Sequence, residues 1–378
     1  MTAVSESRLT AESGPSSGAG SGLRRAVAEQ GPLLGLVAMY TLGVYLAEWA
    51  AGLDRPLRNV GFANFYFLFV VSTACYGVGA LALTRWRVRG PEGQWVSSWG
   101  AWKVAWAECR RWYFTGYRLG SLAVISAAML LLLRTYSSWK PLISIVVPFG
   151  AVDEGLMRLD AAVHFGHHPW AILQPLMGHP IATLAIDLLY ALWLPVNFVV
   201  LLWQAAGGPA RDRTRFLLTY ALIWIVVGTL MATPLSSAGP CYYSRVAGGP
   251  DPYAGLMAYL GSLHAGPGLI ALQIQENLWT YYTGRAVLPL NGISAMPSMH
   301  VAGAVLFALA GWRASRALGL VLTGYALVIL VGSVHLAWHY AVDGYVAAGV
   351  TAVLWWATGR YLRWRGGPET RAVPSRPG

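Results

Sequence analysis

The run ALGLVLTGYALVILVGSV, residues 317–334, decides the fold class because none of its residues is charged. A helix needs about 20 predominantly apolar residues to cross a bilayer. In the whole chain 56% of the residues are hydrophobic and 11% are charged, whereas soluble domains carry about 25% charge. The sequence therefore predicts an all-α fold, a polytopic bundle of transmembrane helices.

Further apolar segments of similar length bring the predicted number of spanning helices to about eight. They are residues 32–50, 62–84, 119–136, 183–203, 216–233, 297–312 and 341–358. The net charge of +11 comes largely from arginine clusters between these segments, and all clusters fall on one side if both termini are cytoplasmic. Because cytoplasmic loops accumulate Lys and Arg, this charge predicts cytoplasmic termini and calls for no nucleic-acid partner.

Composition divides the chain into four parts. Residues 1–30, rich in Ser, Gly, Ala and Glu, are predicted to form a disordered cytoplasmic tail, and residues 361–378 a second one. Residues 31–118 are predicted to hold an accessory transmembrane pair plus an interfacial helix, and residues 119–360 a six-helix core. Two long outer loops of this core are expected to be partly re-entrant and to cover a site.

A first group of chemically active residues opens the segment at 297–312. Pro297 suits the first position of a helix, and the free N–H groups of a first turn attract anions. Ser298 adds a hydroxyl group, and His300 adds an acid or base. This pattern predicts an anion-binding helix start that carries a catalytic histidine.

A second group, between the last two segments, contains His335, His339 and Asp343. Residues four apart share a face of a helix, so the Asp343 carboxylate can accept a hydrogen bond from one nitrogen of His339. The other nitrogen is then free to act as a nucleophile. The same three residues have a spacing that could bind a metal ion, and His335 could equally bind phosphate or pack in the core.

Together the two groups resemble the type 2 phosphatidic acid phosphatase superfamily. Its second motif, Pro-Ser-Gly-His, is similar to residues 297–300, and its third motif ends in His followed four residues later by Asp. Met299 in place of Gly, the His-Tyr-x-x-Asp ending and the run from Asn291 to Ala302 are more similar to the branch of fungal inositol phosphorylceramide synthases and their bacterial relatives.

This resemblance implies a role for each motif residue and implies no metal or organic cofactor. His339 would attack phosphorus to form a phosphohistidine, and Asp343 would orient it. His300 would protonate the leaving oxygen and later deprotonate the incoming water or alcohol. Ser298 would help to hold the phosphate oxygens.

The superfamily's first motif, a Lys followed seven residues later by Arg-Pro, is missing, and neither Lys103 nor Lys140 fits it. The third motif's usual Arg falls at Ser333. Because a phosphoryl transition state needs positive charge or donors around its oxygens, substitutes are expected in the outer loops. The candidates are Arg245, Arg285, His335, Tyr242 and Tyr243.

The sequence therefore predicts a lipid phosphatase or a phospho-head-group transferase of the bacterial plasma membrane, with its active site facing outside. The substrate would be a lipid phosphate or phospholipid, and the acceptor water or an alcohol such as inositol. One alternative is a catalytically silent lipid-binding or transport protein of the same fold. Another is a metal-dependent membrane hydrolase that uses His335, His339 and Asp343.

Overall fold

The computed structural model describes most of the chain. The described residues are 19–52, 115–206, 210–266, 268–284 and 292–365, together with 102–107 and short stretches between 70 and 82. They contain helices, turns and loops but no β-strand.

Thirteen longer helices are described, and we number them in chain order. They are α1 Ala19–Glu29, α2 Gly31–Ala50, α3 Gly116–Trp139, α4 Ala151–Val163, α5 Pro169–Met177, α6 Pro180–Ala191, α7 Trp193–Ala206, α8 Ala210–Leu222, α9 Ala254–His264, α10 Ile270–Tyr282, α11 Met299–Ala314, α12 Arg316–His335 and α13 Ala341–Arg365. The helix α8 continues as a π-helix, Ile223–Met231, and short helical turns cover Lys140–Leu142, Ile143–Val146, Pro240–Tyr242 and Tyr243–Val246.

Within the described residues, five helical stretches are long and apolar enough to cross a membrane. They are Gly31–Ala50, Gly116–Val146, Pro180–Ala205, Ala210–Met231 and Arg316–His335. Each coincides with a predicted segment. The predicted segment 297–312 corresponds to α11, which has only 16 residues. The segment 341–358 lies within α13, which has 25 residues. Most of the segment 62–84 lies outside the described residues.

The last part of the predicted N-terminal tail is helical. We predicted a disordered tail over residues 1–30; residues 1–18 lie outside the described residues, and α1 covers Ala19–Glu29 and packs on α3. The contact is close because small residues line it: a Cβ at Gly22 would lie 2.7 Å from the carbonyl carbon of Gly116, and one at Gly120 would lie 3.0 Å from the Cα of Leu23. Small residues four apart let helices approach in this way, and the sequence contains that spacing.

The helix α2 docks on the bundle through polar pairs as well as apolar side chains. The Tyr40 hydroxyl lies 2.8 Å from Thr229 Oγ1 on the π-helix. Near the other end of α2, Ser138 donates a 2.5 Å hydrogen bond to the buried carboxylate of Glu48. Polar groups at membrane depth need such partners, so these contacts fix α2 against the core.

The two predicted outer loops are largely helical. The first contains α4 and α5, and the second contains α9 and α10. Both loops contact the turn between α12 and α13, where the second histidine group lies: Asp160 of α4 accepts hydrogen bonds from Ala341 and Val342 N–H, and Gln275 of α10 donates one to Leu336 O. Their helical form satisfies the backbone hydrogen bonds that an irregular loop would leave unpaired.

Candidate active site

The turn between α12 and α13 presents His339. Ala337 N–H bonds to Val334 O at 3.1 Å and Trp338 N–H to Ser333 O at 2.9 Å, which is a Schellman motif that ends α12. Ala337 occupies the left-handed position with φ +59°, a conformation that costs about 1–2 kcal/mol for a residue with a Cβ. The buried surroundings hold this strained turn in place, and His339 follows it directly.

Asp343 holds His339 from the first turn of α13. The distance from His339 Nδ1 to Asp343 Oδ2 is 3.4 Å, and the same oxygen accepts a 3.1 Å bond from Tyr340 N–H. Asp343 is the third residue of α13, and Tyr340 is the residue that caps the helix. Their hydrogen bond is one of the two bonds of a capping box. Since Nδ1 faces the carboxylate, Nε2 is the nitrogen of His339 left for reaction.

His300 lies on the neighbouring helix. Ser298 caps α11 by accepting a 3.4 Å bond from Val301 N–H, which puts His300 in the first turn. Its ring stacks on Tyr190 at 4.8 Å, contacts Trp193 at 4.6 Å, and lies 6.2 Å from the His339 ring, all between ring centroids. The structure thus brings the two predicted catalytic histidines and Asp343 together.

Two buried carboxylates on α4 position this turn from outside the motifs. Asp160 accepts hydrogen bonds of 3.2 and 3.0 Å from Ala341 and Val342 N–H, at the start of α13. Asp153 accepts one of 3.2 Å from the Tyr340 hydroxyl. Burial raises the pKa of Asp160 and of Tyr340. Neither acid was a candidate in the sequence, although two acids seven residues apart lie on the same face of one helix.

A cavity of about 420 Å³ opens beside the histidines. Its polar lining includes His300, His339, Lys140, Asp187, Tyr190 and Tyr242. One wall is apolar and comes from Ile270, Ile274 and Leu278 of α10. Asp187 caps α10, accepting bonds of 2.7 and 2.9 Å from Ile270 and Ala271 N–H. The helix dipole therefore offsets the Asp187 charge.

Lys140 was set aside in the sequence analysis because it does not fit the first motif. The structure places it on the wall of this cavity, immediately after α3. A lysine directly after a long, largely apolar helix, followed by Pro141, is the signal that could have identified it.

The predicted phosphate ligands fall in different places. Tyr242 lines the cavity and donates a 2.6 Å bond to Gln275 O. Tyr243 is buried and packs edge-on against Tyr253. Ser298 is fully buried in its capping role, and neither it nor Tyr243 is among the described residues that line the cavity.

The basic candidates lie apart from the histidine pair. Arg245 is partly exposed, forms a 3.0 Å ion pair with Glu276 and lies 5.0 Å from the ring centroid of Trp279. His335 is fully buried, with Nε2 2.9 Å from Thr183 Oγ1. Arg285 lies outside the described residues. Within the described part of the chain, no three His, Cys, Asp or Glu side chains converge as metal ligands would.

Comparison with known protein families gives a match. A family model described as the PAP2 superfamily matches residues 154–358, more than half of the chain. The match includes most of α4, both histidine groups and Asp343, but neither Asp153 nor Lys140. No curated protein and no solved structure gives a significant match.

Proposed function

Because the chain belongs to the PAP2 superfamily, whose members are phosphatases and phosphotransferases, we propose that it acts on phosphate-bearing membrane lipids through a phosphohistidine at His339. The observation that carries this proposal is the buried His339–Asp343 pair, 3.4 Å apart, beside His300 on the wall of one cavity. An oriented imidazole next to a second imidazole is what two-step phosphoryl transfer needs.

In the first step, Nε2 of His339 attacks phosphorus while the bond from phosphorus to the lipid oxygen breaks. His300 gives its proton to that oxygen, and Asp343 stabilises the charged imidazole ring. In the second step, water or an alcohol attacks phosphorus, His300 takes its proton, and the P–N bond breaks. His300 is thereby returned to its protonated form.

Three features support a lipid substrate and an outer active site. The cavity has an apolar wall on α10, the chain has several helices suited to crossing a membrane, and the arginine clusters favour cytoplasmic termini. With an even number of spans, the turn at His339 then faces outside. The likeness to the inositol phosphorylceramide synthase branch favours a phospholipid donor and an alcohol such as inositol as acceptor, with water as the competing acceptor.

The test uses the purified full chain and lipids labelled in the phosphate. Labelled phospholipids and lipid phosphates are supplied with and without inositol or glycerol, and the products are identified. We expect an acid-labile label on the peptide that contains His339, and none on the His339→Ala variant. A label on another residue, or turnover that stops with a chelator, would overturn the phosphohistidine proposal. Lipid binding without any turnover would instead favour the catalytically silent alternative.

A further inference from the structure

We propose that Lys140 binds the phosphoryl oxygens of the substrate and so supplies the positive charge that the missing first motif would have carried. This inference rests on the proposed function of the same cavity. It assigns a role to a residue before the segment 154–358 that matches the family. The phosphate site would then be completed by a helix outside that segment.

The first support is the charge distribution of the cavity. Among the described residues that line it, Lys140 carries the only permanent positive charge. Asp187, the acidic residue of the lining, already accepts two backbone N–H groups of α10. No described carboxylate lies within ion-pair distance of Lys140. Lys140 is partly buried, an unpaired ammonium group is unfavourable in such a place, and a phosphate dianion in the cavity would compensate it.

The second support is how the backbone fixes Lys140 relative to His300. A Cβ at Gly292 would lie 2.6 Å from Pro141 Cα and 3.1 Å from the Lys140 carbonyl oxygen. Only glycine allows that approach, so the segment leading into Pro297 lies directly against the turn that begins at Lys140. Ala295 N–H also donates a 2.8 Å bond to Ser237 O. The lysine and the histidine therefore belong to one tightly packed unit.

The third support is a set of unused hydrogen-bond donors around the same space. The Tyr190 hydroxyl and the Trp338 indole N–H are buried and have no hydrogen-bond partner among the described residues. Both residues line the cavity, and Tyr190 stacks on His300 and on Trp338. Buried donors without partners are rare in folded proteins. A phosphoryl group has enough oxygen atoms to accept hydrogen bonds from the Lys140 ammonium group, the Tyr190 hydroxyl and the Trp338 indole N–H.

The experiment exploits the fact that the chain contains only two lysines, Lys103 and Lys140. The full chain is treated with an amine-reactive reagent, with and without orthovanadate as the phosphate probe, and both lysine peptides are quantified by mass spectrometry. We expect vanadate to slow the modification of Lys140 by about 10-fold or more, the effect of a hydrogen bond to a charged group. The exposed Lys103 should react equally in both samples and is the internal control.

Variants separate this role from structural support. Lys140→Met should raise the vanadate inhibition constant and the KM for a lipid phosphate by about 10–100-fold, and Lys140→Arg should restore much of the loss. Lys103→Met is the matched control and should behave as the wild type. Equal labelling of Lys140 with and without vanadate, in protein that still forms phosphohistidine, overturns the lysine assignment alone. If vanadate protects Lys140 from modification but no phosphohistidine forms, the lysine binds phosphate and the proposed function is wrong.

Discussion

The two ends of α3 use charged residues in opposite ways. At its start, Arg213 forms a 2.5 Å ion pair with Glu29 and a 2.7 Å hydrogen bond with the Tyr117 hydroxyl. At its other end, Lys140 lines a cavity and has no carboxylate partner among the described residues. Paired charges hold α1, α3 and α8 together, whereas the unpaired charge and the donors without partners near His300 suit a ligand. A charged residue in this bundle therefore points to the proposed site only where the described residues leave it without a partner.

The largest expected effect comes from removing the nucleophile. His339→Ala should lower kcat for a lipid phosphate by about 10³-fold or more, because covalent catalysis is lost. His339→Asn keeps a polar group beside Asp343 and should unfold at the same temperature as the wild type. Turnover and thermal unfolding in detergent measure the two effects. Near-normal turnover in either variant would show that His339 is not the nucleophile. The cavity next to Lys140 would then not be the site of phosphoryl transfer through His339.

His300→Ala should come next, with a loss of about 10²–10⁴-fold on a lipid phosphate, the range for general acid–base catalysis. An aryl phosphate with a good leaving group needs no proton at that step, so its first turnover should be less affected. The burst of nitrophenol measures this difference. An equal loss on both substrates would mean that His300 binds phosphate or supports the fold instead of acting as an acid.

The paired end should respond in stability and not in turnover. Arg213→Met removes the charged partner of the Glu29 carboxylate and leaves it the Tyr117 hydroxyl as donor, which should cost about 1–3 kcal/mol and lower the unfolding temperature by several degrees. The kcat of the folded protein should stay unchanged, because Arg213 lies at the far end of α3 from His339. A fall in kcat at unchanged stability would show that the two ends are coupled.

The smallest expected effect is at Asp160. Asp160→Asn keeps one acceptor oxygen for the two N–H groups at the start of α13, so the turn at His339 should loosen without unfolding. We expect kcat to fall by about 10-fold, the loss of one hydrogen bond of about 1.4 kcal/mol, with KM nearly unchanged. A change in KM alone would indicate that Asp160 acts on substrate binding.

Sequence reasoning worked where residues that contact each other are close together in the chain. His339 and Asp343 are four residues apart and do contact each other, although His339 lies in the turn before α13 and not on the helix. A helix does begin at the first group, but at Met299 with Ser298 as its cap, so Pro297 precedes the helix and does not open it as predicted. Family membership was recognised from the same residues, and PAP2 membership is confirmed by the match to 154–358. The inositol phosphorylceramide synthase likeness, the roles of these residues and the outer placement of the site stay predictions.

What could not be predicted depends on contacts between distant segments. Lys140 reaches the cavity from the end of α3, whereas Asp187 and Tyr190 reach it from α6, and no local pattern indicates that they meet there. The tail prediction for residues 1–30 weighed composition and overlooked the small residues that let α1 pack on α3. The predicted number of about eight spans rests on apolar length and on the placement of the arginine clusters, and the described residues account for five by length and composition.

The volume of the cavity sets how the proposed lipid substrate would be held. At about 420 Å³ it lies within the range of pockets for small, drug-sized ligands, so it would accommodate a head group and the first part of a chain. The remaining hydrocarbon of a two-chain lipid would stay in the bilayer and remain surrounded by lipid when the head group binds. Chain length would then add little to affinity, and the rate would follow the mole fraction of the lipid in the membrane, not its bulk concentration. Detergent in an assay would act as a diluent of the substrate.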